Sequence, residues 1–198
     1  MADSRFIENI TAEELSGYNL SWFRGRIIVI DDQKSFRNYF RLLSEFDFVG
    51  FDTETRPSFR KGHNNKVSLI QLATSDMAFL IRINRIGIPD ELAELLGNPR
   101  VIKAGVAVHD DIRFLRSLKR FTPEGFVDLQ KMVKDFGIQC SGLKKLAAIV
   151  LGFRISKSQQ VTDWEARELS EAQQIYAATD AWVCYEIYRK LNGMADKG

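Results

Sequence analysis

The stretch Phe48-Val49-Gly50-Phe51-Asp52-Thr53-Glu54-Thr55 constrains this chain more than any other. It opens as an apolar run rich in β-favouring residues, which reads as a buried strand. It then turns acidic without a break. Residues two apart on a strand share a face, so Asp52 and Glu54 should project side by side at its C-terminal end. Carboxylates held that close repel unless a proton or a cation lies between them. A divalent cation is the natural occupant, because Mg²⁺ prefers oxygen ligands and takes few of them from protein. The alternative is a solvated acidic turn after a strand.

Thr11-Ala12-Glu13-Glu14 has the capping-box pattern that opens a short helix. Trp22 and Phe23 follow and are expected to pack this N-terminal arm against the body. Ile27-Ile28-Val29-Ile30 reads as a strand. Asp31 or Asp32 then caps a helix in which Phe36, Tyr39, Phe40 and Leu43 recur at helical spacing. Residues 56–66 form a loop with Pro57 and Gly62, to which Arg56, Arg60, Lys61 and Lys66 add positive charge. It serves either as a hairpin connection or as a substrate-contacting loop. Residues 67–73 and 77–81, joined at Ser75-Asp76, complete a three-stranded meander.

The period then changes. Residues 89–96 read as a helix ended by Gly97, 101–108 as a buried strand, and 109–120 as the helix after it. Helices follow at 129–136, at 143–151 and from Ser170 onward. Ser141 and Ser170 are their expected N-caps, and Gly137 and Gly152 their closures. Residues 153–162 are the longest irregular polar segment and are expected to be a mobile connection. A meander followed by strands alternating with helices implies an α/β fold, a mixed sheet flanked by helices. With 198 residues and no repeat or dividing linker, a single domain is expected.

Composition narrows the function classes. The net charge of +2 is far from the basic excess of a protein that holds duplex DNA by charge alone. Cys140 and Cys184 stand far apart with no metal-ligand pattern around them, which disfavours a disulfide framework or a zinc site and fits a reducing, cytoplasmic setting. The first residues lack the apolar core of a signal peptide, and no apolar run is long enough to span a bilayer. The expectation is a soluble, intracellular protein with no membrane partner.

Two further acidic clusters carry chemistry. His109-Asp110-Asp111 follows the strand at 101–108, and strand ends of open α/β sheets are where ligands bind. Either Asp110 or Asp111 merely caps the next helix, or the adjacent pair fills both roles, one capping and the other meeting Asp52 and Glu54. His109 reads as a general base or as a surface residue beside a cap. In Tyr176-Ala177-Ala178-Thr179-Asp180, residues four apart share a helix face, so Tyr176 and Asp180 point the same way. An aspartate in mid-helix among Ala, Trp and Val is costly without a partner, and a metal shared with Asp52 would supply one.

Phe51-Asp52-Thr53-Glu54, Lys103-Ala104-Gly105-Val106 leading to Asp111, and Tyr176-Ala177-Ala178-Thr179-Asp180-Ala181 resemble the three motifs of the DEDD superfamily of 3′–5′ exonucleases, tyrosine subclass. Lys66-Val67-Ser68-Leu69-Ile70-Gln71-Leu72 and residues 143–152 resemble its ribonuclease D and Werner-type branch most. The resemblance runs over about residues 27–192, with the motifs in order, which is more specific than any one motif. It implies a ribonuclease H-like fold with a five- to six-stranded mixed sheet, so that residues 1–198 make one exonuclease domain with a short N-terminal arm. It also implies that Asp52, Glu54 and Asp180 hold one Mg²⁺ or Mn²⁺. Asp52 would bridge to a second ion, with Asp111 nearby, and Tyr176 would orient the attacking water.

Two ions about 4 Å apart can activate water, shield the transition state and stabilise the leaving oxygen, which explains a site with no Ser, Cys or His nucleophile. The implied partner is nucleic acid with a free, single-stranded or frayed 3′ end, DNA favoured over RNA. Such an end needs cations and stacking surfaces. Thr53, Arg56, Phe59, Arg60 and Arg113 are the candidates, with Lys61 beside them, and Trp164 either packs or contacts a base. A catalytically weak nucleic-acid-binding or docking module on the same fold, and an endonuclease, are the competing readings.

Overall fold

The residues that turn acidic form strand β2 (Phe48–Thr55), which lies inside a six-stranded sheet. The computed structural model describes residues 6–56 and 66–195, so Phe59, Arg60 and Lys61 lie outside the described residues. Numbered in chain order, the strands are β1 (Arg26–Ile30), β2, β3 (Val67–Ala73), β4 (Met77–Ile81), β5 (Ile102–Gly105) and β6 (Phe126–Asp128). Across the sheet they run β1-β4-β3-β2-β5-β6. The expected meander is present: β2 pairs antiparallel with β3, and β3 with β4. Strands β5 and β1 add in parallel at either side, to β2 and β4, and β6 pairs parallel with β5.

The two faces of β2 meet different layers. Val49 and Phe51 are fully buried in one cluster with α2 (Gln33–Leu43), α4 (Asp90–Leu96) and α5 (Val108–Leu118), through Phe36, Leu43, Leu92, Leu96 and Leu115. Gly50 faces the last helix, α8 (Glu171–Ala195). A Cβ on Gly50 would lie 1.9 Å from the Ala181 carbonyl oxygen and 2.6 Å from the Tyr185 nitrogen. Glycine is required there because the helix backbone rests directly on the strand. Ala177, Ala178 and Ala181 are all fully buried, and their small side chains permit the approach.

Local signals account for several element boundaries. Thr11 and Glu14 close the capping box of α1 (Ala12–Ser16), and Asp32 caps α2 by accepting from the Lys34 and Ser35 amides. Ser170 and Gln173 cap α8 reciprocally, each side chain accepting from the other's backbone N–H. Gly137 and Gly152 end their segments at φ 80° and 81°, as expected.

Several expectations are corrected. Strand β5 stops at Gly105 and α5 starts at Val108, because Ala107 breaks the run in a left-handed conformation, φ 57°. Neither Asp110 nor Asp111 caps that helix. Ser141 is not a cap either: Gly142 precedes α7 (Leu143–Leu146) with no side-chain bond. Residues 129–136 and 143–151 each change winding partway, the first from α6 (Leu129–Met132) to a 3₁₀ turn and the second from α7 to a π turn. A short α3 (Ile83–Ile86) and strand β6 complete the described elements. In the N-terminal arm Phe23 is buried as expected, but Trp22 stays exposed.

Replacing Gly50 with alanine forces the helix off the strand. We expect Gly50→Ala to cost about 1–3 kcal/mol in a urea melt, the usual penalty for overpacking. An unchanged midpoint would show that the contact between α8 and β2 is slack.

Candidate active site

Strand alternation puts Gly50, Asp52 and Glu54 on the face of β2 that meets α8. Because Gly50 lets the helix down onto the strand, Asp180 arrives beside the two strand carboxylates. One oxygen from each of Asp52, Glu54 and Asp180 lies within 4.8 Å of the others. Tyr176, one turn earlier in α8, hydrogen-bonds to the Asp180 carboxylate. Thr179, between them in sequence, accepts from the Phe23 backbone N–H at 3.0 Å and donates to the Ile175 carbonyl at 2.6 Å, tying the N-terminal arm to this helix.

The fourth acid comes from the parallel neighbour. Strand β5 runs alongside β2, so both chains leave the sheet at the same edge. Ala107 makes the turn, and its N–H donates to Asp128 Oδ1 at 3.2 Å, which fixes the start of α5. Asp111, in the first turn, then reaches Thr53, whose hydroxyl donates to Asp111 Oδ1 at 2.5 Å. Thr53 alternates to the opposite face from Asp52, so Asp111 stands beside the group of three rather than within it. Asp110 turns away: it is exposed and pairs with Arg113 at 3.2 Å. His109 is exposed as well.

Crowding and burial set the protonation. Burial, then the charges of Asp180 and Asp111, push Asp52 far above the ordinary carboxylate range. Burial and the Asp52 charge raise Glu54 to about 10. Asp180 rises to about 7 through burial, against the Tyr176 hydrogen bond and the Lys157 charge. Asp111 rises to about 6, again mainly through burial. The Tyr176 hydroxyl is also pushed upward by burial and by the nearby carboxylates, which keeps its proton in place.

Buried oxygens that resist ionising together form a donor set for a hard divalent cation, so Asp52, Glu54 and Asp180 fit a metal ion of the Mg²⁺ type. They line a cleft of 360 Å³ that also takes in Tyr176, Lys157 and Gln160. The Lys157 charge draws down the pKa of Asp52, Glu54 and Asp180 alike. Lys157 does not stand out in the sequence, because residues 153–162 carry no periodicity. The faint signal was a cation placed between two serines.

The remaining candidates are scattered. Arg56 forms ion pairs with Glu165 at 3.4 Å and Asp163 at 3.8 Å, and Arg113 is committed to Asp110. Phe59 and Arg60 fall outside the described residues. Trp164 is fully buried with its ring 6.0 Å from that of Tyr176, so it packs and offers no surface to a base. Lys103, from the second motif, is buried too. Its ammonium donates to the Leu95 and Asn98 carbonyls, which ties β5 to the end of α4.

A fold with these acids on adjacent strand ends and a closing helix defines a nuclease of the ribonuclease H-like architecture, and comparison with known proteins agrees. Residues 27–196 match the 3′–5′ exonuclease domain family. The mouse bifunctional 3′–5′ exonuclease/ATP-dependent helicase WRN is 34% identical over 162 residues, covering 78% of this chain and 11% of the relative. Ribonuclease D of Gluconacetobacter diazotrophicus is 34% identical over 147 residues, covering 73% of this chain and 37% of the relative. Among solved structures, the Nibbler EXO domain of Aedes aegypti superposes with a TM-score of 0.78 at 25% identity, covering 89% of this chain and 93% of that domain.

The chain belongs to the 3′–5′ exonuclease family of the DEDD superfamily and carries that hydrolase's domain. It spans about a tenth and just over a third of the two curated relatives. Among the described residues, no helix is long and apolar enough to cross a membrane.

The raised carboxyls make a pH prediction. Between the ordinary carboxylate range and their raised folded values, Asp111 and Asp180 keep protons that the unfolded chain has released, so rising pH favours unfolding there. The metal-free protein should therefore lose stability from about pH 5 to about pH 8, and added Mg²⁺ or Mn²⁺ should restore it. Denaturant melts in EDTA at both pH values measure this; equal midpoints would contradict it.

Proposed function

We propose that this chain is a single exonuclease domain, with its core over residues 27–192 and a short N-terminal arm, that hydrolyses nucleic acid one nucleotide at a time from a 3′ end. The observation that carries the reading is the convergence of Asp52, Glu54 and Asp180 within 4.8 Å, with the Tyr176 hydroxyl on Asp180. Tyr176 four residues before Asp180 supports the tyrosine subclass. The 34% identity to the WRN relative supports a Werner-type branch and, with it, DNA in preference to RNA. The two buried, unpaired cysteines fit a reducing cytoplasm.

Asp52, Glu54 and Asp180 would hold one Mg²⁺ or Mn²⁺ and Asp52 would share in a second, with Asp111 beside it. When bound, the ions supply an acidified water and shielding for the phosphate charge. The chain's own residues do the rest. Tyr176 keeps its proton, so it orients the attacking water by hydrogen bonding and does not act as the base. Thr53 holds Asp111 by its hydroxyl. Lys157, lining the same cleft, is placed to meet a phosphate oxygen. Arg56 and Arg113, with Phe59 and Arg60, are the proposed contacts to the rest of the strand.

The test is digestion of a labelled 3′-recessed duplex and of matched single-stranded DNA and RNA with Mn²⁺. A one-nucleotide ladder, faster on DNA, is expected. Internal cuts or no cleavage would overturn the exonuclease reading, and faster RNA decay would overturn the substrate preference. Asp52→Ala and Asp180→Ala should abolish turnover while leaving the circular-dichroism spectrum unchanged; full activity in either removes the metal assignment. Tyr176→Phe should slow turnover about a hundredfold, the order expected when a reactant is mispositioned, with metal affinity little changed.

A further inference from the structure

The acid cleft has an apolar neighbour. A second cleft, also of 360 Å³, lies against the N-terminal arm and is lined by Leu20, Trp22, Ser156, Ser158 and Ile175, with Tyr176. Tyr176 borders both clefts. Residues 156–160 contribute to both: Ser156 and Ser158 line the apolar cleft, Lys157 and Gln160 the acid cleft. Trp22 and Leu20 remain 41% and 43% exposed, whereas Phe23 is buried. The Arg24 guanidinium lies over the Trp22 ring, 4.8 Å from its centroid.

We propose that this apolar cleft is a subsite for one nucleobase of the strand whose 3′ end lies at the acids. The Trp22 indole is its stacking surface through the face that Arg24 does not cover, and Arg24, on the covered face, is placed for a neighbouring phosphate. This deepens the exonuclease reading and rests on it. Continuity identifies the occupant: Tyr176 belongs to both clefts, and the group next to a phosphodiester held at the acids is the adjoining nucleotide of the same strand. The chemistry agrees. Single-stranded nucleic acid is held by aromatic faces that stack on bases and cations that follow the backbone, and an indole paired with a guanidinium offers both. The Ser156 and Ser158 hydroxyls, 3.0 Å apart, join Ser21 and Thr179 as the polar groups of a largely apolar cleft. Stacking accepts any base, so this subsite grips the strand without reading its sequence.

Tryptophan fluorescence tests the proposal directly. Of the three tryptophans, Trp164 is fully buried and Trp182 is partly buried and stacked on Phe153 at 5.5 Å, which leaves Trp22 as the most exposed and the one lining this cleft. Short oligothymidylate, added with Ca²⁺, should quench the emission of the wild-type protein, and Trp22→Phe should remove that quench while retaining binding. Trp22→Ala should weaken oligothymidylate binding about tenfold, the order of one base–aromatic stack. It should leave binding of an abasic strand of equal length unchanged. Ala172→Glu, an exposed change at the rim of the cleft, should also weaken binding and checks the result if Trp22→Ala folds poorly.

Unaltered oligothymidylate binding in Trp22→Ala and Ala172→Glu, or equal losses on the abasic strand, would overturn the subsite. If the wild type degrades DNA while these variants bind normally, the subsite alone fails. If the wild type cleaves nothing yet the Trp22-dependent quench persists, the exonuclease reading fails and base binding stands.

Discussion

Like charges forced together out of water are the constraint on which the rest of this structure depends. Three carboxyl groups from two distant parts of the chain share a space under 5 Å across, and two of them are buried. Alone, the group is a liability, since each acid makes its neighbours harder to ionise and burial compounds the effect. The fold nevertheless brings the backbone of α8 directly onto β2 to create it. Gly50 has no side chain, three buried alanines line the facing helix, and the result is that Asp180 is pressed against Asp52. An arrangement that holds mutually repelling groups in place marks a site built for something that is added later.

The surroundings act on that group at different distances. Tyr176 and Lys157 favour the charged form of Asp180, the tyrosine by donating a hydrogen bond and the lysine by its charge. Asp111 approaches from the other side of β2 and is held by Thr53, so the fourth acid has its own support. That support depends on Ala107, whose left-handed turn starts α5 early enough for its first turn to reach β2, and on Asp128, which takes the Ala107 N–H. A non-glycine residue in that conformation carries a modest strain, and its place at the rim of the acid cleft fits a backbone bent to deliver a side chain.

The parts legible in the sequence were those with a short repeat or a local hydrogen bond. The period of two in β2 placed Asp52 and Glu54 together, and the interval of four in α8 aligned Tyr176 with Asp180. Capping boxes at Thr11 and Ser170 marked their helices because both partners lie within four residues. What could not be read depends on tertiary contact. Strand β6 has three residues, too few for any alternation to register. The break at Ala107 is invisible in an apolar run, since alanine carries no preference for that conformation. The family resemblance singles out Asp111, but the residue pattern alone does not separate it from Asp110; in the fold Thr53, 58 residues away, holds it. Lys157 and the exposed Trp22 acquire meaning only when two irregular segments meet beside Tyr176.

The central requirement of this site is a cation that relieves the repulsion among Asp52, Glu54 and Asp180. Titrating the purified protein with Mn²⁺ and following the free ion by electron paramagnetic resonance measures this directly. The expected result is saturable uptake by the wild type that is lost in Asp180→Asn, with both proteins folded by circular dichroism. Uptake of equal affinity and stoichiometry in the two proteins, or none in the wild type, would contradict it.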